Sequence, residues 1–400
     1  MKPTDYAADE IYFTAIKKGG LETYEASQAD NVKIMGNVYD NSKLGPFDQS
    51  TLKKYLSGKK ISLGLSVDRY SSGLQGKSTV KDFQTLMELI YTSFTNISPD
   101  YNAFNSFIET AKVGLTHQEN NPEYIFSVKF ADVLYGGNPF MMPESTAMLE
   151  KVNYDECLQL VKQLLSNASD FTFLFIGNVD ETVLVPMLEQ YIATLPSSQA
   201  HEPKVVTPIE VAKGNIVKEF KQQMKTPTVI FGDLYSGYNM PVNIKNFLLA
   251  RMAGAAIMTT LSETLREDEG GTYSPFAMGS LIPELKSWQI LTEVITAPEK
   301  KNNIISRQDK ELKKIFTEGG DEKDFISAKE TLIQRYKSNY RKNAFLLSMM
   351  TSQIMNPELP LTTEYESTLN SITFEDFNNF LKNLHAEDNH IQVILEGTEE

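Results

Sequence analysis

The chain has 400 residues, 41% apolar and 22% charged, the composition of a soluble globular protein with a prior of two or three domains. Its 38 basic side chains are outnumbered by 52 acidic ones, a net charge of −14, which argues against nucleic acid or an anionic membrane as the main partner, since either needs a net basic face. One cysteine, Cys157, allows neither an intrachain disulfide nor a thiolate zinc cluster, and four histidines (His117, His201, His385 and His390) limit the chemistry further.

Along the first half, a strand is predicted from Glu10 to Ile16, ending at Gly19-Gly20. Asp48 reads as the N-cap of a short helix through Tyr55. Ile61, Leu63, Leu65 and Val67 alternate as in a strand. Ser78 or Thr79 can cap the next helix, whose Phe83, Leu86, Met87, Ile90 and Phe94 share one face. Asp100, Pro122 and Asn153 open three more helices, and Phe171–Ile176 reads as a buried strand. The polar, proline-flanked stretch 196–203 is the best linker candidate.

Beyond it, strands are predicted at about 214–222 and at Thr228–Tyr235, followed by a long helix from Val242 to Arg266. Tyr273–Leu281 and Trp288–Thr296 read as paired strands. Two long amphipathic helices fill about 298–318 and 321–350, a last helix starts near Thr373, and the strand Ile391–Leu395 follows. No segment reaches the ~18–20 uninterrupted apolar residues of a membrane span; the longest candidate, Leu248–Met258, contains Arg251.

The two halves look like one fold used twice. Residues 152–156 match 372–376 in type, Phe171, Phe173 and Phe175 match Ile391, Val393 and Leu395, and Gly177 matches Gly397, all at an offset of 220. The strand ending at Gly19 matches the one ending at Gly237 at 218. The counterpart of the strand at 214–222 would then fall at about −4 to 4, so the first domain is expected to start inside its own first strand and the chain to be a piece of a longer polypeptide; a divergent first domain is the alternative. The predicted organisation is α+β: two similar domains at 1–197 and 208–400, a linker at 198–207, each domain an antiparallel-rich sheet with helices on one face.

Hydrolase motifs are scarce. Neither H-x-x-E-H nor H-E-x-x-H occurs, nor does G-x-S-x-G. His385 and His390 are five apart in a loop, His117 ends a helix and His201 sits in the linker, so all four read as surface residues. Cys157 reads as core. The segment that stands out is Leu261-Ser-Glu-Thr-Leu-Arg-Glu-Asp-Glu-Gly-Gly-Thr-Tyr-Ser274. Arg266 ends a helix, Gly270-Gly271 permits a reversal, and Tyr273 opens a strand. A guanidinium fork and a phenol are both donors, suited to a substrate carbonyl or the oxyanion formed from it. Packing and the helix macrodipole offer the plain alternative.

That Arg–Glu–Gly-Gly–Tyr-Ser stretch, with its arginine-to-tyrosine spacing of seven, resembles the arginine/tyrosine element in the C-terminal half of pitrilysin/insulinase-type zinc peptidases, bacterial type. Lys2–Asp5 with Glu10–Gly20, Phe171–Val179 and Ile372–Asp376 are similar too, so the resemblance covers nearly the whole chain. It implies a mitochondrial-processing-peptidase-like metallohydrolase fold, and it makes the chain the third and fourth of four related domains. The family's zinc motif belongs to the first domain. The corresponding stretch here, Leu44-Gly-Pro-Phe-Asp-Gln-Ser-Thr-Leu52, holds no ligand set, so no metal is expected in this chain and zinc is expected in an N-terminal half. For Arg266 and Tyr273 the resemblance implies that they hold the scissile carbonyl and its oxyanion. The expected partners are a peptide or unfolded-protein substrate and that zinc-bearing half, and a periplasmic or envelope address follows by resemblance. The rival reading is a naturally separate, non-catalytic partner subunit that binds peptide or protein.

Overall fold

A computed structural model of the chain describes residues 1–268, 275–384 and 389–399, with the backbone alone for 266–268. The chain forms two compact units, each a five-stranded sheet packed with helices. The first comprises Met1–Glu119, Asn138–Ile209 and Tyr340–Thr351; the second comprises Asn120–Gly137, Glu210–Asn339 and Ser352–Glu400.

The first sheet runs, edge to edge, Ser62–Val67, Ser71–Ser78, Ile11–Lys18, Thr172–Gly177 and Lys2–Pro3. All neighbours are antiparallel except the last pair, where Lys2 lies beside Ile176 and Pro3 beside Gly177 in parallel. The second sheet repeats this plan with Phe276–Ile282, Ser287–Thr296, Val229–Gly237, His390–Thr398 and Asn215–Gln223, and its last pair is again parallel. The fold is thus α+β and built twice, as the sequence pattern implies.

Local signals place most of the helices. Asp48 accepts from Thr51 N at 2.7 Å, and Asn153 accepts from Glu156 N at 3.2 Å. Thr373 and Asp376 form a reciprocal capping box. The helix after Thr79 begins later than the pattern predicts, at Phe83: a turn precedes it, in which Asp82 N donates to Thr79 O at 3.2 Å and the Thr79 hydroxyl donates to Asp82 at 2.7 Å. The helix predicted over 321–350 is two, Glu322–Asn339 and Asn343–Met355. The break coincides with the change of compact unit at Tyr340.

Each unit also takes a helix from the other half of the sequence. Pro122–Tyr135 belongs to the second unit, where Phe126 and Leu134 pack with Ile230, Leu234, Ile391 and Val393. Gly232 makes room for it: a Cβ there would lie 3.0 Å from the Phe126 ring and 3.1 Å from that of Phe130. Most of Asn343–Met355 belongs to the first unit, where the Thr4 hydroxyl reaches Asn343 Oδ1 at 2.6 Å. The two helices are repeat partners, since 343 − 123 and 355 − 135 both equal 220.

The repeat is not gapless. Helix positions keep the offset of 220: Cys157 and Phe377 are both fully buried, as are Leu164 and Leu384 to within a few per cent. The strands that follow match at 219. Phe173 meets the ring of Phe94 on the Phe83–Thr95 helix, and its structural partner is Gln392, not Val393. A slip of one residue exchanges the two faces of a strand, so the 220 match paired opposite faces.

Candidate functional site

Asn243 caps the long helix of the second unit by accepting from Asn246 N at 2.8 Å, and Ile244–Leu261 follows. The helix then widens into a π-type turn over Ser262–Asp268, which carries the backbone of Arg266. Such widened turns are frequent at functional sites. The Arg266 side chain and all of Tyr273 lie outside the described residues.

What surrounds the turn is firm. Leu261 and Leu265 are fully buried. Thr264 donates to Thr260 O at 2.7 Å, and Thr260 donates to Asp324 Oδ2 at 3.2 Å. Lys323 pairs with Glu263 at 2.7 Å. Asp324 is 8% exposed, and burial raises its carboxyl above the ordinary value despite the Thr260 hydrogen bond. Earlier in the helix, Gly254 lies against the strand Phe276–Ile282 so closely that a Cβ would come 2.0 Å from Gly279 N. A rigid helix and a strand packed on it therefore flank the segment 266–273.

Three histidines can be placed. His117 is exposed near the end of the Tyr101–Gln118 helix. His201 lies 3.2 Å from Asp170, with its side chain 70% exposed. His385 lies outside the described residues. His390 corrects its reading as a loop residue. It opens the last strand, its Nε2 is 2.6 Å from Asp233 Oδ1, and its ring stacks on Tyr235 at 4.1 Å. Asp233 is wholly buried and also accepts from Gln392 at 2.9 Å and Gln308 at 2.7 Å. Gln308 reaches Thr292 as well, at 3.1 Å. Burial, and then the Asp233 charge, push the Tyr235 phenol above its usual value. The available signal was the lone acid inside Val229-Ile-Phe-Gly-Asp-Leu-Tyr235, because a charge in a buried run needs partners.

Among the described residues the donors do not gather to fit a catalytic zinc. In the stretch 44–52, Leu44 pairs with Ile97, and the Asp48 carboxylate is occupied as a cap. Hydrogen bonds from Thr51 and Ser50 hold that carboxylate below its ordinary value. Among the described residues no three His, Cys, Asp or Glu side chains gather as a metal site. Cys157 is buried, donates to Asn31 O at 3.1 Å, and has its thiol pushed up to about 12, far from the thiolate a nucleophile needs.

Comparison with known proteins shows what the chain is similar to. Residues 151–332 match the Peptidase M16 inactive domain. The chain is also similar to zinc proteases. It is 19% identical over 375 residues to the Probable zinc protease PqqL of Escherichia coli K12, which covers 93% of the chain and 40% of PqqL. The chain thus spans about two fifths of that relative. The crystal structure of periplasmic PqqL superposes with a TM-score of 0.84 over 97% of the chain and 43% of PqqL, at 19% identity. The separately solved first half of PqqL gives 0.71 over the whole chain and 89% of its own length, at 13% identity. A peptidase M16 inactive domain from Pseudomonas fluorescens gives 0.80 over the whole chain and 94% of its length, at 14% identity. At these identities the structural likenesses establish the fold.

Proposed function

We propose that this chain is the C-terminal, non-zinc-binding half of a zinc endopeptidase, contributing the third and fourth domains of a four-domain enzyme. Its role is to close the chamber and bind the peptide. The observation that carries this reading is the match of residues 151–332 to the inactive domain of the family, in a chain that aligns with two fifths of PqqL. Zinc would be supplied by an N-terminal half. PqqL is described as periplasmic, which supports the same address for this protein.

Arg266 and Tyr273 are the chain's contribution to the chemistry. Two fixed donors that converge on a scissile carbonyl stabilise the charge that develops on its oxygen. Arg266 stands on the π-type turn, one residue after the buried Leu265, which fixes its backbone. In the enzyme carrying both halves, Arg266→Ala or Tyr273→Phe should each lower kcat by about 10²–10³, the equivalent of ~3–4 kcal/mol, with thermal stability kept. Wild-type turnover in both variants, or robust zinc-dependent peptide cleavage by this chain alone, would sink the reading.

A further inference from the structure

A cavity of about 830 Å³ opens within the second unit, where the strand Val229–Gly237 ends and Ser287–Thr296 begins. It lies by the first turn of the Ile244–Leu261 helix, at Lys245, Asn246 and Leu249. That helix has 18 residues, so it is about 27 Å long at 1.5 Å per residue. Arg266 lies past its far end. The cavity is therefore a second place, independent of the arginine/tyrosine element.

Its lining is built for hydrogen bonding without charge. Lys245 is neutralised by Asp376 at 2.6 Å, and Lys213 lies over the Tyr238 ring at 5.4 Å. Asn389 is fully used as scaffold: it donates to Ser236 Oγ at 2.7 Å and to Ala212 O at 3.2 Å, and it accepts from Gly214 N. Three other lining carboxamides are unused. The carboxamides of Asn239, Asn379 and Asn383, all three exposed, have no hydrogen-bond partner among the described residues. Trp288, the single tryptophan of the chain, also lines the cavity. It is 3% exposed, and its indole N–H meets no protein acceptor. Solvent reaches that N–H, which is not one of the buried polar atoms left without a partner, so it is a free donor in the cavity. Gly237 is required to seat that indole, since a Cβ there would lie 2.3 Å from its Nε1.

We propose that this cavity binds an extended stretch of polypeptide through its backbone, with little regard to side chains. Asn379 and Asn383 are four apart at the end of the Phe374–Lys382 helix, a spacing that sets Cβ atoms about 5–6 Å apart on one face. An extended chain rises about 3.3–3.4 Å per residue, so residues two apart present N–H and C=O on the same edge every ~6.7 Å. A carboxamide carries both an acceptor oxygen and NH donors. Each asparagine can therefore pair with both groups of one residue, and the next asparagine with the residue two further on. The indole N–H supplies one more donor for a peptide carbonyl.

The single tryptophan makes the test direct. Titrate the chain with an acetylated, amidated octapeptide of alternating Thr and Gln, following Trp288 emission. A saturable change is expected. Binding should weaken at least tenfold in Asn379→Ala/Asn383→Ala, whose free emission spectrum and thermal midpoint stay as in the wild type. It should also be lost when alternate peptide nitrogens are N-methylated. No saturable change, equal binding of the methylated peptide, unaltered affinity of the double variant, or a response to maltoheptaose in place of the peptide would each overturn the proposal. The readout needs neither zinc nor turnover, so its failure is separable from failure of the proposed peptidase role.

Discussion

The two sheets share one plan, yet the layer between sheet and helix differs in kind. Between its sheet and the Phe83–Thr95 helix, the first unit sets Ala15, Leu74 and Phe173 on the sheet and Ile90 on the helix, with Phe13 and Phe175 beside them. At the matching positions the second unit sets Asp233, Thr292, Gln308 and Gln392, closed off by His390. The first three pairs are related by 218 and the last by 219, and sheet register supports the match: Ala15 pairs with Leu74 and Phe173, as Asp233 pairs with Thr292 and Gln392. One backbone plan therefore accepts either an aromatic core or a hydrogen-bonded polar one, in which one atom, Gln308 Oε1, is buried without a partner.

The largest effect is expected in the aromatic layer. Phe13 is fully buried and meets the Phe175 ring at 5.1 Å. Phe13→Ala should cost about 3–5 kcal/mol in denaturant unfolding. Asp233→Ala should cost somewhat less, about 3 kcal/mol, because it strands His390, Gln392 and Gln308 without their acceptor. If the polar layer is a coherent alternative, then Asp233→Ala/Thr292→Leu/Gln308→Ile/Gln392→Phe, which copies the first unit, should recover most of that loss. A quadruple variant worse than the single one would show that the two layers are not interchangeable.

A smaller test uses the glycines that bring a helix onto an edge strand in each unit. Gly36 would place a Cβ 2.7 Å from Leu65 O, and Gly254, 218 residues on, would place one 2.0 Å from Gly279 N. Gly254→Ala should cost about 1–3 kcal/mol and Gly36→Ala less; the reverse order of melting temperatures would contradict the close approach at Gly254. The smallest effect concerns Asp324, whose carboxyl burial raises. A raised carboxyl contributes stability at low pH and loses it as pH rises through its folded value. Asp324→Asn should therefore melt about 1–2 °C higher than the wild type near pH 7, with the difference vanishing toward pH 4. A pH-independent difference would mean that the Thr260 hydrogen bond, not burial, governs this group.

Much of this architecture was legible in the residues. Asp48, Asn153 and Thr373 announced their helices because caps are local, and the alternation of Ile61, Leu63, Leu65 and Val67 announced a strand for the same reason. The exchange of helices was not legible: Pro122 marks where that helix starts but not which sheet it covers, and the partners of Phe126 and Phe130 lie a hundred or more residues away. The one-residue difference between helix and strand offsets was hidden as well: Phe-x-Phe-x-Phe fits the inward face of Ile-x-Val-x-Leu by type, and only register separates them. Among the site residues, Arg266 and Tyr273 stood out through a motif. Asp233 and His390 are 157 positions apart, and nothing local ties them together.

The exchanged helix has a temporal side. A ribosome adds about 5–20 residues per second, so the Pro122–Tyr135 helix emerges on the order of ten seconds or more before the His390–Thr398 strand completes the sheet it covers. During that interval the rings of Phe126 and Phe130 have no sheet to lie against. The first unit waits too, for residues 340–351. Neither unit can finish early, so the nascent chain must stay in a holding state until nearly all of both is made, and a helper that shields apolar helices has a defined window in which to act.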